Sequence, residues 1–191
     1  MAGAAPSFTD IHLVRSILLL ANGPLGRKRL VQELGVGEGS VRTILKRLWS
    51  DGLVESYKGG QRLSKKGEKK ASKLLGQLWI EQDFNSADLS GQDKKQVLVI
   101  VKKGADNVAS TVLLRDQSLK AGADGAVIIQ KKKGKLIFPD DSTPLDGFPD
   151  LIEQLSGEEL KNEDIAVVAW GDTTQLAEDG ALTIALQLIS R

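Results

Sequence analysis

Cysteine is absent from this sequence, which excludes disulfides, thiolate metal sites and a cysteine nucleophile together. Histidine occurs once, as His12 inside an apolar stretch. Neither a His-rich metal site nor a Ser-His-Asp triad built on any other histidine is therefore available. A satisfied or surface-edge histidine is the simpler reading of that position. No run approaches the roughly 18 consecutive apolar residues that a membrane-spanning helix needs. Met1-Ala2-Gly3-Ala4-Ala5-Pro6 has no basic residue ahead of an apolar run, which argues against a secretory leader. The expectation is a cytoplasmic protein with no membrane partner. The phosphate loop, the G-x-S-x-G elbow, a metal triad and a paired-carboxylate signature are also missing. No catalytic residue, cofactor or metal is expected, and the chain reads as a non-enzyme.

What is there is ordinary in bulk and uneven in placement. Hydrophobic residues make up 41% and charged residues 27% of 191, as in a soluble globular protein. The net charge of +1 conceals a division, because residues 1–80 carry 14 Lys/Arg against 6 Asp/Glu and residues 81–191 carry 12 against 19. A basic half joined to an acidic half implies two domains, the first facing a polyanion. Charge alone also fits a basic surface without a partner, so a motif must decide.

In the basic half, Ser7 or Thr9 can cap a helix that runs to about Ala21 with Leu13, Val14, Ile17 and Leu18 inward. Asn22-Gly23-Pro24 stops it. A second helix fits Gly26–Leu34, with Leu30, Val31 and Leu34 inward, and Gly35-Val36-Gly37 makes a sharp turn. The third helix, Glu38–Ser50, places Val41, Ile44, Leu45 and Leu48 at i, i+3, i+4 and i+7, one narrow stripe. The opposite face holds Gly39, Thr43, Lys46 and Ser50, flanked by Arg42 and Arg47, with no carboxylate after Glu38. A helix that enters a phosphate-lined groove and reads base edges needs such a face. Leu53–Tyr57 and Arg62-Leu63 then read as two strands around Lys58-Gly59-Gly60-Gln61, a hairpin directly behind the basic helix.

The stretch from Gly26 to Leu75 resembles the winged-helix regulators of archaea and bacteria. It shares their leucine-rich second helix, an S-V-R-x-x-L-x-x-L recognition helix, an acidic-glycine stop and a basic hairpin. Leu63-Ser64-Lys65-Lys66-Gly67 is similar to the L-T-x-x-G step that leaves the wing in the MarR-like group. The resemblance spans about residues 8–80 and implies double-stranded DNA as partner. It would put Ser40, Arg42, Thr43, Lys46 and Arg47 in the major groove and Lys58 and Arg62 at the wing site. Arg27, Lys28 and Arg29 would stand where a helix N-terminus holds phosphate.

Ser64 can cap a further helix to about Trp79 with Ala71, Leu74, Leu75 and Leu78 inward, either for a symmetry mate or for its own chain. Residues 81–95 have the polar composition of a linker. The acidic half, 96–191, reads as β-α-β-β-α-β-α, and the whole chain as an α+β protein: winged helix-turn-helix at 1–80, small α/β domain behind. This second half resembles the uncharacterised C-terminal domain that follows a winged helix in a group of archaeal proteins. Arg115–Ala126 and the Trp170-Gly171-Asp172 loop carry the likeness, which implies architecture and no chemistry. Sites in open α/β sheets sit beyond the carboxyl ends of the strands, which places a candidate ligand site at Asp106, Asn107, Asp172 and Thr173. Helix capping explains the same four residues without a ligand. Lys131-Lys132-Lys133 at a hairpin tip reads as solvated charge.

The leading expectation is a homodimeric DNA-binding transcriptional regulator whose second half senses a small-molecule effector or assembles the dimer. A single winged helix reads few base pairs, so a two-fold pair is the usual route to useful affinity. The alternative is a protein-interaction module acting on transcription or translation machinery.

Overall fold

The computed structural model describes residues 8–89, 93–140, 142–158 and 160–189. The chain divides into two units, Met1–Gly76 and Gln77–Arg191. In the first, helix α1 (Asp10–Ala21) starts where Thr9 becomes extended and donates its N–H to His12 Nδ1 at 3.1 Å. The single histidine is thus occupied by a helix cap. Ser7, the other expected cap, lies outside the described residues. Ile17 and Leu18 are buried as expected, whereas Leu13 and Val14 are only partly covered. Their inward places go to His12, Arg15 and Ser16.

Arg15 is 2% exposed and donates to the carbonyls of Glu33 at 2.8 Å and Leu34 at 3.4 Å. Those carbonyls end helix α2 (Arg27–Leu34), where no later N–H of the helix can reach them and the helix dipole favours a cation. Gly35, at φ 68°, turns the chain, and α3 follows at Glu38–Ser50. Val41, Ile44, Leu45 and Leu48 are all buried, as the stripe requires. Such burial stabilises by on the order of 1.5–3 kcal/mol per side chain, so it is packing that fixes which way the basic face of α3 points.

Strands β1 (Val54–Tyr57) and β2 (Gly60–Leu63) form the wing, paired from Val54↔Leu63 to Tyr57↔Gly60 around Lys58-Gly59. Leu25 exchanges two backbone hydrogen bonds of 2.9 Å with Gln61 and anchors the hairpin to the start of α2. Helix α4 (Lys65–Gln77) is capped by Ser64, whose Oγ accepts the Gly67 N–H at 3.1 Å. A Cβ at Gly67 would stand 2.0 Å from the Leu53 carbonyl oxygen, so the step out of the wing demands glycine there. The α4 stripe is shorter than expected. Ala71 and Leu74 are buried, but Leu75 is 47% exposed and Leu78 has left the helix for strand β3 (Leu78–Glu81).

Strand β3 opens the second unit and pairs with β4 (Lys95–Val101). The remaining strands are β5 (Gly125–Lys132), β6 (Lys135–Ile137) and β7 (Ile165–Gly171). The sheet runs β3-β4-β7-β5-β6, with every pair antiparallel. From β4 onward the expected order β-α-β-β-α-β-α holds, with helices α5 (Thr111–Lys120), α6 (Pro149–Ser156) and α7 (Thr174–Ile189). One face carries Leu98, Ile100, Ile129, Ala166 and Val168 against Leu151 and Leu155 of α6. Strand residues of opposite parity face α7, which lies on β4 and β7 and packs against α5. Gly180 is the point of that packing, since a Cβ there would stand 2.5 Å from Ala123 Cβ and 2.6 Å from Ser118 Oγ.

Residues 82–89, 93 and 94 do not behave as a linker. Phe84 sits in the core, and Ser86 is locked to Gln96 by a backbone–side-chain pair of bonds at 2.9 and 2.8 Å. Asp150 accepts the Ala87 N–H at 2.7 Å, and Asp88 accepts that of Leu151 at 2.9 Å. The polar composition reflects specific hydrogen bonding to α6 and β4. Ser90 and Gly91, part of the same expectation, lie outside the described residues.

Candidate nucleic-acid interface

The exposed face of α3 forms one wall of a groove of about 510 Å³. Arg42, Lys46, Trp49 and Ser50 come from α3, Arg27 from the first turn of α2, and Ser56 and Gln61 from the wing. Ser56 and Gln61 are register partners and therefore project to the same side of the hairpin. Three cations from two helices thus share one groove with hydroxyl, amide and indole groups. Arg42 reaches Glu38 at 3.6 Å, but both side chains are well exposed and such an i,i+4 pair contributes little. Among the described residues Arg27, Lys28, Lys46 and Lys58 make no ion pair. Thr43 is exposed and its hydroxyl donates back to the Gly39 carbonyl at 3.0 Å, while Ser40 is partly covered.

Two expected contacts are turned elsewhere. Arg47 lies 3.7 Å from Asp10 and 5.4 Å from the centre of the Phe8 ring, on the α1 side of α3. Arg62 is bonded to Glu55 at 2.7 Å and stacks over Tyr57 at 4.7 Å, on the other face of the hairpin from Gln61. That face borders a second groove, of about 400 Å³, lined also by Pro24 and Leu75. Lys58 stays exposed at the wing tip. Trp49, 56% exposed, was not singled out by the sequence. Its signal was a large aromatic on the polar side of the α3 stripe, where packing gives it no role.

The four candidate ligand residues of the second unit are not brought together. Because β4 and β7 are antiparallel, with Val101 opposite Ile165 and Lys95 opposite Gly171, their carboxyl ends lie at opposite ends of the sheet. Six residue steps at ~3.3 Å put them about 20 Å apart. Asn107 donates to the Leu188 carbonyl at 2.5 Å, closing the end of α7, and Asp106 is exposed beside it. Asp172 accepts from Lys94 at 2.6 Å, and Thr173 Oγ1 accepts the Leu176 N–H at 3.3 Å, capping the start of α7. Lys94 also bridges Asp124 at 2.5 Å, and its hydrogen bonds to Asp124 and Asp172 push its ammonium well above the usual lysine range. Of Asp106, Asn107 and Ser110, each a cap candidate from the sequence, it is Ser110 that caps α5. The lysine tip is not wholly solvated either, since Lys131 Nζ donates to the Leu160 carbonyl at 2.8 Å. Among the described residues no group of three or more His, Asp or Glu could hold a metal, and no helix is long and apolar enough to cross a membrane.

These features define an α+β protein that joins a winged helix-turn-helix to a five-stranded antiparallel sheet with helices on both faces. Its residues 92–188 match the model of a domain of unknown function, DUF4443, and the chain belongs to that family. Residues 10–69 match the PH0730-like N-terminal domain. A solved structure, the hypothetical protein PH0730 from the archaeon Pyrococcus horikoshii OT3, is similar over 95% of this chain and 93% of its own, with 28% identity and a TM-score of 0.76. No curated protein matches.

Proposed function

We propose that the protein is a cytoplasmic DNA-binding transcriptional regulator that acts as a homodimer and carries a sensor or assembly unit behind its winged helix. The observation that carries this reading is the convergence of Arg27, Arg42 and Lys46 with Trp49, Ser56 and Gln61 in one groove. In it, cations would neutralise phosphates while the exposed α3 residues meet base edges in the major groove. Lys58 at the wing tip would grip the backbone beside it. No catalytic step belongs to this reading. Fluorescence anisotropy with the protein's own upstream DNA, measured across a salt series, tests it. Each phosphate neutralised contributes about −0.9 to the slope of log affinity against log salt, so Lys58→Ala should flatten the slope by roughly that amount on any sequence. The double variant Arg42→Ala/Lys46→Ala should abolish preference for the upstream site over random DNA. Affinity indifferent to salt and to these substitutions refutes the reading. A second reading, docking on transcription or translation machinery, draws on the exposed Tyr57 and Leu75 at the 400 Å³ groove. Co-purification with such a partner after nuclease treatment would favour it.

A further inference from the structure

A cavity of about 520 Å³ opens at the edge of the second unit's sheet and is lined by none of the four residues considered above. Its floor is Trp79 on β3 and its register partner Ile100 on β4. Trp79 is 38% exposed, so one face of the indole is presented to the cavity and not consumed by the core. The rim is supplied by two turns, which bring Lys102 and Lys103 from one side and Lys161 with Asn162 from the other.

The turns are held in place by a single buried carboxylate. Asp164 accepts the Lys103 N–H on one oxygen and the Lys161 N–H on the other, each at 2.9 Å. Its charge is therefore met by backbone, and it leaves the lysine ammoniums to face outward. Lys103 and Glu163 both adopt left-handed backbone, at φ 53° and 69°, a costly conformation for side chains of this kind. The Ala105 N–H donates to the Glu163 carbonyl at 3.2 Å, tying one turn to the other. Glu158 is the cavity's second carboxylate beside Asp164, and burial and then the Glu81 carboxylate push its carboxyl above the usual range. The cavity accordingly combines one flat aromatic face with a cationic rim on rigid turns.

We infer that this cavity binds a small anion bearing a planar ring, the ring stacked on Trp79 and the phosphate or carboxylate held by Lys102, Lys103 and Lys161. The volume suits such a ligand, since small-molecule sites run from ~300 to ~1,000 Å³. The site uses only residues of the second unit and does not rest on DNA binding by the first.

The test is calorimetric titration of the full chain with six probes: AMP and indole-3-acetate, then their respective halves, adenosine with inorganic phosphate and 3-methylindole with acetate. At least one of the first two should bind, identifying phosphate or carboxylate as the head group. The matching half-probe, lacking either ring or charge, should bind at least roughly tenfold more weakly. Lys102 and Lys161 are exposed, so Lys102→Ala/Lys161→Ala keeps the fold and should weaken the binding anion at least roughly tenfold. Trp79→Ala should weaken it comparably, while Trp79→Phe, which keeps an aromatic face on the same strand, should restore most of the affinity. Failure of both ring-bearing anions to bind at millimolar concentration overturns the inference. So does binding that a matching half-probe equals, or that survives the lysine double variant.

Discussion

Arg15→Met removes the guanidinium that closes α2 while keeping the length and apolar stem of the side chain. The wild-type residue is 2% exposed and holds the Glu33 carbonyl at 2.8 Å, with a longer bond of 3.4 Å to Leu34. A charge-assisted bond of the first kind contributes roughly 1.5–3 kcal/mol, and removing one partner leaves the other buried and unsatisfied. Against that stands the relief of no longer burying a charge, which methionine obtains in full. The balance is a loss of about 2 kcal/mol, borne where α1 meets the carboxyl end of α2. Hydrogen exchange read by mass spectrometry localises it. Protection in peptides from α1 and α2 should drop roughly thirtyfold, because each 1.4 kcal/mol is a factor of ten. Peptides from β4 and β7 in the second unit serve as the internal control and should not change. Arg15→Lys, with one ammonium in place of the fork, should fall between the two. Wild-type protection in the α1–α2 peptides of Arg15→Met would refute the account of α2 closure.

The other expectations concern separate parts of the molecule. Gly67→Ala drives a methyl to 2.0 Å from the Leu53 carbonyl oxygen, so the wing–α4 junction must shift; the cost of such overpacking is typically ~1–3 kcal/mol, seen as a lower midpoint in urea. Glu55→Gln breaks the Arg62 ion pair and frees a cation at the wing, so affinity for DNA of any sequence should rise a few-fold at low salt and converge with wild type at high salt. The raised carboxyl of Glu158 favours its protonated form in the folded chain. Its contribution is complete below the ordinary carboxylate range and is lost as pH rises through the folded value. Glu158→Gln should therefore stabilise the protein at neutral pH and flatten stability against pH just above the usual carboxylate range, as thermal melts across a pH series would show.

Periodicity made the first unit legible. Val41, Ile44, Leu45 and Leu48 recur at the helical period, and a stripe that regular has one packing solution, so the direction of Arg42 and Lys46 followed from it. The same rule failed seven residues beyond Ala71, where Leu78 fits a helix and a short strand equally well. Pairing with Val101, distant in the chain, decided for the strand. Arg15 was invisible because its partners are carbonyls 18 and 19 residues away, which leave no trace in side-chain chemistry. Strand direction is likewise unwritten in a run such as Val97–Val101. The parallel arrangement that would have joined Asp106 to Asp172 therefore had no local evidence against it. Arg62 shows a subtler limit: its charge was plain, but the pleat of a four-residue strand turned it toward Glu55. Trp79 stood at the supposed end of a helix, so nothing marked it as a floor between turns.

The position of β7 in the sheet governs when the second unit can exist during synthesis. Among the described residues that strand, 165–171, is the only one that touches both β4 and β5. Until it emerges from the ribosome, the β3–β4 hairpin and the β5–β6 hairpin are two separate ribbons with no seam between them. The first unit ends at Gly76, so a nascent chain passes through a stage in which all residues of the winged helix have been made and the sheet is still unjoined. From the end of β4 to the end of β7 is 70 residues, and from the end of β5 it is 39, so at ~5–20 residues per second the two bare edges wait roughly 4–14 s and 2–8 s for a shared neighbour. Slowing elongation over those residues lengthens the wait, and with it the opportunity for edge-to-edge pairing between neighbouring nascent chains on a polysome.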